Sequence, residues 1–214
     1  MLTSTGSQKV TRMNFLAHLH VAKHCNSHLM GNLLGDFVRG DPYRQYSTPV
    51  ANGIALHRFV DSYIDALPAV VACRTHFTPD TRRVSGIALD ILWDHFLAKH
   101  WAQYDPSPLP RFVNDAELAF HRFDESPPDT FTAMMTRMWQ QQWLLQYQHA
   151  DTITLALTRM AQRRPRLHQL AACPAVIHQH YHTFEQAFHR IYPQVQHAAL
   201  HFSQQQPSAN TAKP

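Results

Sequence analysis

The sequence predicts a single compact all-α domain with no sheet. Three observations carry that expectation. Apolar residues recur at three- and four-residue spacing through most of the chain, the pattern of helices buried on one side. Prolines and capping residues fall mainly between those segments, where helices start and stop. Glycine is scarce, at 6 of 214 residues, and strand-like alternation is hard to find, which disfavours the turn-rich β classes. With 44% hydrophobic and 16% charged residues, the chain can fill a core and is not a disordered polymer.

The elements follow in order. Residues 1–12 are polar and unpatterned and read as an unstructured extension, so that either Met1 or Met13 could be the start. Helical patterning opens at Asn14 and runs to His24, with Phe15, Leu16, Leu19 and Val21 apolar. A second helix is expected from Ser27 to Arg39, stopped by Gly40-Asp41-Pro42. Thr48-Pro49 reads as a cap and first turn for a third helix through Leu67, and a short one follows from Pro68 to His76. A long helix is expected from Asp80 or Thr81 through Tyr104. The run Asp105 to Pro110, with three prolines, is a linker. Beyond it helices are expected near 111–123, 129–147, 152–162 and 175–202, with Arg163-Arg164-Pro165 parting the last two. The helical domain thus spans 13–202, and the Gln- and Ser-rich tail 203–214 reads as disordered.

Composition narrows the setting. No apolar run reaches 18 residues, so no membrane-spanning helix is expected, and the N-terminal residues lack a signal-peptide core. Cys25, Cys73 and Cys173 are odd in number and widely spaced, as expected of reduced thiols in a cytoplasmic protein. The formal charge of +4 suits an acidic partner without choosing its class. No helix-turn-helix or RNA-binding aromatic motif accompanies it, so no nucleic-acid partner is expected.

The chemistry lies in polar residues set on apolar helix faces. His57 and Asp61 are four apart and share a face flanked by Ile54, Val60 and Ile64. An acid and an imidazole inside an apolar stripe are costly unless paired or bound to something. Asp90 and Asp94 repeat the pattern in the long helix, in line with Arg83, Ile87, Leu97 and Trp101. Like charges at that spacing repel, and a cation between them would reverse the penalty. His95, next to Asp94, points about 100° away round the helix. Asn32 and Asp36 are again four apart in the second helix. His18 and His20, two apart, cannot share a face. Mixed oxygen and imidazole donors suit Mn(II), Mg(II) or Fe(II), while a thiolate zinc site is excluded by the lack of a cysteine pair. Each of these residues has an ordinary structural alternative: Asp61 paired with Arg58, Asp90 with Arg83, Asp65 with any arginine nearby.

Several strings in register resemble the acyl carrier protein phosphodiesterase family. They are Met13-Asn14-Phe15-Leu16-Ala17-His18-Leu19-His20, Gly31-Asn32-Leu33-Leu34-Gly35-Asp36-Phe37-Val38-Arg39-Gly40, Gly53-Ile54-Ala55-Leu56-His57-Arg58-Phe59-Val60-Asp61, Arg82-Arg83 and Leu89-Asp90-Ile91-Leu92-Trp93-Asp94-His95-Phe96-Leu97. Gln142-Trp143-Leu144 and Arg163-Arg164-Pro165-Arg166-Leu167 continue the series. The resemblance implies hydrolysis of the phosphodiester that joins 4′-phosphopantetheine to the serine of holo-acyl carrier protein. It also implies a divalent metal, most often Mn(II), and a distant kinship with the helical His-Asp (HD) phosphohydrolases. The adjacent pair Asp94-His95 is reversed relative to the HD signature.

On that reading one or two ions are held by His18, Asp36, His57, Asp61, Asp90 and Asp94. His18 is preferred to His20 because relatives accept an aromatic residue at the second position. His95 or His20 is the expected general acid. Arg58 and Arg83 are expected to steady the phosphoryl oxygens, with salt bridges to Asp61 or Asp90 as their alternative role. Arg39, Arg82, Arg163, Arg164 and Arg166 are the expected docking residues for an acidic carrier protein. Two rivals stay open: an HD-like phosphohydrolase acting on a nucleotide, and a non-catalytic helical protein that binds the carrier.

Overall fold

The computed structural model describes residues 14–207. Helices dominate, and no strand occurs among the described residues. They are α1 (Phe15–His24), α2 (Leu29–Leu34), α3 (Thr48–Ala66), α4 (Pro68–Thr75), α5 (Pro79–Arg82), α6 (Ser85–Lys99), α7 (Leu109–His121), α8 (Asp129–Gln140), α9 (Trp143–Gln146), α10 (Asp151–Arg163) and α11 (Cys173–Gln204). The expected extension 1–12 and Met13 lie outside the described residues. Among the described residues no helix is long and apolar enough to cross a membrane, and Cys25, Cys73 and Cys173 are free and buried.

Helix α6 is the axis of the domain. Its residues are apolar nearly all round, and every one from Ile87 to Ala98 is buried, as expected of a helix packed on all sides. Helices α1, α10 and α11 pack against it, while α2 lies across α3. The last crossing is close because two glycines meet there. A Cβ on Gly53 would lie 2.8 Å from the His28 carbonyl and 2.9 Å from the Gly31 Cα, so only glycines let these backbones approach.

Three expected helices come out shorter or broken. The second ends at Leu34 instead of Arg39, because the following turn is drawn onto α3. Arg58 donates from Nη2 to the Val38 carbonyl (2.6 Å) and from Nη1 to the Gly40 carbonyl (2.9 Å). Gly40 turns there with φ of 76°. The long helix expected from residue 80 to 104 is three pieces: α5, α6 and a 3-10 turn at Trp101–Gln103. Local hydroxyl bonds compete with the helix ladder at the first break: Thr78 with Thr81 at 2.9 Å, and Ser85 to the Arg82 carbonyl at 2.8 Å. The helix expected over 129–147 divides at Gln142, which is left-handed with φ of 51°. Arg164, ahead of Pro165, is extended, as the residue before a proline is driven to be.

The last helix runs past residue 202. Helix α11 continues to Gln204, and the next residues are tied to α3. Gln206 donates to the Asn52 carbonyl (3.0 Å), and the Asn52 amide donates to the Pro207 carbonyl (2.9 Å). Residues 208–214 lie outside the described range.

Candidate metal centre

Three helices bring two imidazoles and two carboxylates together. His18 comes from α1, His57 and Asp61 from α3, and Asp36 from the turn after α2. The His18 and His57 rings stack with centroids 3.8 Å apart. Asp61 reaches both rings, with Oδ1 3.3 Å from His18 Nε2 and Oδ2 3.6 Å from His57 Nε2. Asp36 Oδ1 lies 3.6 Å from the same His57 Nε2. The four side chains are almost wholly buried. Donor atoms of His18, His57 and Asp61 all lie within 4.8 Å of one another, a spacing that one ion can span.

The donor chemistry fits a divalent cation. Neither ring nitrogen of His18 or of His57 makes a hydrogen bond of good geometry. Buried polar atoms are normally satisfied, and orphans point to an ion or ligand. Burial lowers the His18 pKa, and the neighbouring His57 lowers it further, against the pull of Asp61. Neutral imidazole is the form that binds metals. Two imidazoles and two carboxylates match first-row divalent ions better than thiolate-seeking ones. Asn32, four residues before Asp36, is wholly buried. Its Nδ2 donates to Ser27 Oγ and the His28 carbonyl, each at 3.1 Å, while Oδ1 accepts no hydrogen bond.

Backbone shape supports the centre. A Cβ on Gly35 would overlap the His57 ring. Gly35 is right-handed helical, so alanine there gains helix propensity and acts only by displacing His57. Gly35→Ala should weaken Mn(II) affinity at least tenfold in an electron paramagnetic resonance titration while the fold survives. Unchanged affinity would remove His57 from the cage.

Other expected site residues are placed elsewhere. Asp94 makes two contacts of its own: Oδ2 accepts from Leu16 N (3.0 Å) and Oδ1 from Ala17 N (2.8 Å). It closes the N-terminus of α1, where Asn14 provides no side-chain cap. A helix start presents free N–H groups to an acceptor oxygen, and Asp94 meets two of them from the next helix over. Asp90, one turn earlier, is buried but stands outside the three-residue group.

His95 is also spoken for. Nδ1 bonds the Tyr147 carbonyl at 2.7 Å and Nε2 the Tyr181 hydroxyl at 2.6 Å. His20 faces away from His18, as their spacing requires. Its Nδ1 bonds the Tyr192 hydroxyl at 2.6 Å, and Nε2 lies 3.6 Å from Asp105. Burial lowers the His20 pKa to about 4, despite Asp105. A proton from either histidine would come only with the loss of one of these bonds. Replacement of His20 by phenylalanine should leave metal-dependent activity within about threefold and cost about 1–2 kcal/mol of stability through the Tyr192 bond. Loss of metal binding in that variant would contradict the placement.

The arginines divide likewise. Arg58 donates to the Val38 and Gly40 carbonyls, so it holds the segment carrying Asp36. Arg83 is exposed beyond the α5–α6 break, off the Asp90 face that an unbroken helix would have given it. Asp65 pairs with Arg74 at 2.5 Å, the ordinary alternative weighed from sequence. Arg39, Arg82, Arg163, Arg164 and Arg166 are all exposed.

The fold and the centre define an all-helical protein with a buried His-Asp cage suited to a divalent cation. Comparison with known proteins narrows the class. A family model described as acyl carrier protein phosphodiesterase matches residues 13–195, and the chain belongs to that family. Relatives bearing the same description include the protein of Pectobacterium atrosepticum, 43% identical over 188 residues that cover 87% of this chain and 97% of the relative. The Enterobacter sp. protein is 44% identical over 184 residues, covering 86% and 95%. The Yersinia pestis protein is 44% identical over 190 residues, covering 88% and 98%. No solved structure matches the chain.

Proposed function

We propose that this chain hydrolyses the phosphodiester between 4′-phosphopantetheine and the serine of holo-acyl carrier protein, giving apo carrier and free 4′-phosphopantetheine. The observation that carries the reading is the cage of His18, Asp36, His57 and Asp61 in a chain whose family match spans residues 13–195. These four residues hold the metal, Mn(II) by preference and Mg(II) or Fe(II) as alternatives, with Asp90 the reserve ligand for a second ion. When bound, such an ion supplies Lewis acidity toward a phosphoryl oxygen and activates water near neutral pH.

The chain's own residues do the rest. Asp61, at the Nε2 edge of the stacked pair, sets one oxygen toward each imidazole. Arg58 fixes the turn that delivers Asp36. The leaving serine oxygen takes its proton from water, since His20 and His95 would each have to break a bond to a tyrosine hydroxyl to supply one. Arg39, three residues after Asp36 and exposed, is the docking arginine nearest the cage in sequence, and Arg82 and Arg166 are further docking positions for an acidic carrier. The three buried, free cysteines support a reducing, cytoplasmic setting.

The rival within the same chemistry is hydrolysis of a nucleotide by the same cage. Side-by-side turnover of holo carrier protein and a panel of nucleoside mono-, di- and triphosphates separates the two. Turnover of carrier alone is expected. Faster turnover of a nucleotide would replace the substrate named here. A non-catalytic carrier binder would turn over neither.

A further inference from the structure

A second concave site lies away from the cage, between α8, α9 and α10. Met134, Trp143, Leu155 and Met160 give it an apolar floor, and Leu155 is 44% exposed. Arg137, Arg159, Arg163 and Arg164 stand round it, and no carboxylate lines it. Arg159 and Arg163 are one turn apart on α10, a like-charge pair that repels until an anion sits between. Both arginines also border an adjoining polar shelf made with Gln140, Gln141, Gln142 and Gln146. None of His18, Asp36, His57 and Asp61 lines either space.

We infer that this cleft is a second binding site, for a phosphate ester carrying a short, partly apolar arm. Guanidinium groups match phosphate oxygens with paired hydrogen bonds. The floor offers Trp143 and Met160 to apolar carbons, and the glutamines offer donors and acceptors to amides or hydroxyls. The cleft encloses about 170 Å³, below the ~300–1,000 Å³ of pockets that engulf a whole drug-sized ligand. A short arm therefore lies in the cleft with its phosphate at the rim, while a bulky body stays outside. Phosphates on amide-bearing arms and phosphates on alkyl chains both present this chemistry. The released product of the proposed reaction is of the first kind, but the site stands without that reading.

Trp143 provides the readout. It is half-buried in the cleft, whereas Trp93, Trp101 and Trp139 are buried in the core. The full chain is titrated with 4′-phosphopantetheine, decyl phosphate and inorganic phosphate, followed by tryptophan emission and by calorimetry. We expect saturable binding of at least one ester, tighter than inorganic phosphate by tenfold or more. Arg159→Ala should weaken it at least tenfold, Trp143→Phe should abolish the emission change, and His57→Ala should leave it intact. Preference for 4′-phosphopantetheine would assign the amide-bearing arm, and preference for decyl phosphate the alkyl one. Binding unaffected by Arg159→Ala but lost in His57→Ala would place the ester at the cage and overturn the site. Absence of ester binding, with holo carrier affinity reduced by Arg159→Glu, would overturn it in favour of protein docking. Because binding is read without turnover, failure of the proposed hydrolysis and failure of this site are separable.

Discussion

Addition of Mn(II) to the metal-stripped protein should raise its melting temperature by about 5–10 °C at a hundredfold excess over Kd, and His57→Ala should remove the whole of that shift. A ligand held only by the folded state stabilises it by about 2.7 kcal/mol at that excess, and a kilocalorie is worth roughly 2–4 °C in a chain of this size. His57 is the residue to change because it adjoins both carboxylates, Asp36 and Asp61, at 3.6 Å. Asp61→Asn should act similarly, since one charged oxygen toward each ring becomes an amide. Hydrolysis should fall at least ~10³-fold in either variant if the ion supplies the chemistry that metal sites supply elsewhere. A full thermal shift in His57→Ala would place the metal at another site.

The second large effect is structural and distinguishes Asp94 from the cage. Asp94→Ala strips the acceptor from two N–H groups at the start of α1, Leu16 N and Ala17 N. A buried donor left unsatisfied costs about 1–3 kcal/mol; the Leu16 bond is buried and the Ala17 bond partly so, so the variant should lose roughly 2–4 kcal/mol by urea denaturation. Folded at low temperature, it should still bind Mn(II) with an unchanged spectrum. A changed coordination spectrum with little lost stability would make Asp94 a ligand after all. The acid also carries a pH signature. Burial raises the Asp94 carboxyl to about 8, against the pull of the two N–H groups. A carboxyl raised on folding keeps a proton that the unfolded chain gives up near pH 4. Its contribution is therefore full below that pH and is lost as pH rises through about 8. This descending share of the stability curve should be missing from Asp94→Ala.

Helix periodicity made α1, α3, α7, α10 and α11 legible to within a few residues, because their apolar faces repeat at the period of the element itself. The pairing of His57 with Asp61, and the separation of His18 from His20, followed from the same period. What spacing along one helix does not carry is what stands opposite. Asp90 and Asp94 share a face, yet Asp94 meets the start of α1, a partner 77 residues away in sequence. His95 is fixed by Tyr147 and Tyr181, 52 and 86 residues on. Arg58 was weighed against Asp61, its neighbour on the helix, while its real partners are backbone carbonyls of the preceding turn. Carbonyls carry no side-chain signal. The break at Gln142 was hidden for a related reason: it lacks the proline or glycine that marks most helix ends. The arginine-rimmed cleft draws on α8, α9 and α10, and only Arg163 and Arg164 of its cations stood out as a cluster in sequence.

The most direct test is the mass of a holo-acyl carrier protein after incubation with the metal-stripped chain, with and without Mn(II). The account expects a loss equal to the phosphopantetheine moiety only when metal is present, and none with His57→Ala. A carrier of unchanged mass, with Mn(II) demonstrably bound to the native chain, would contradict it.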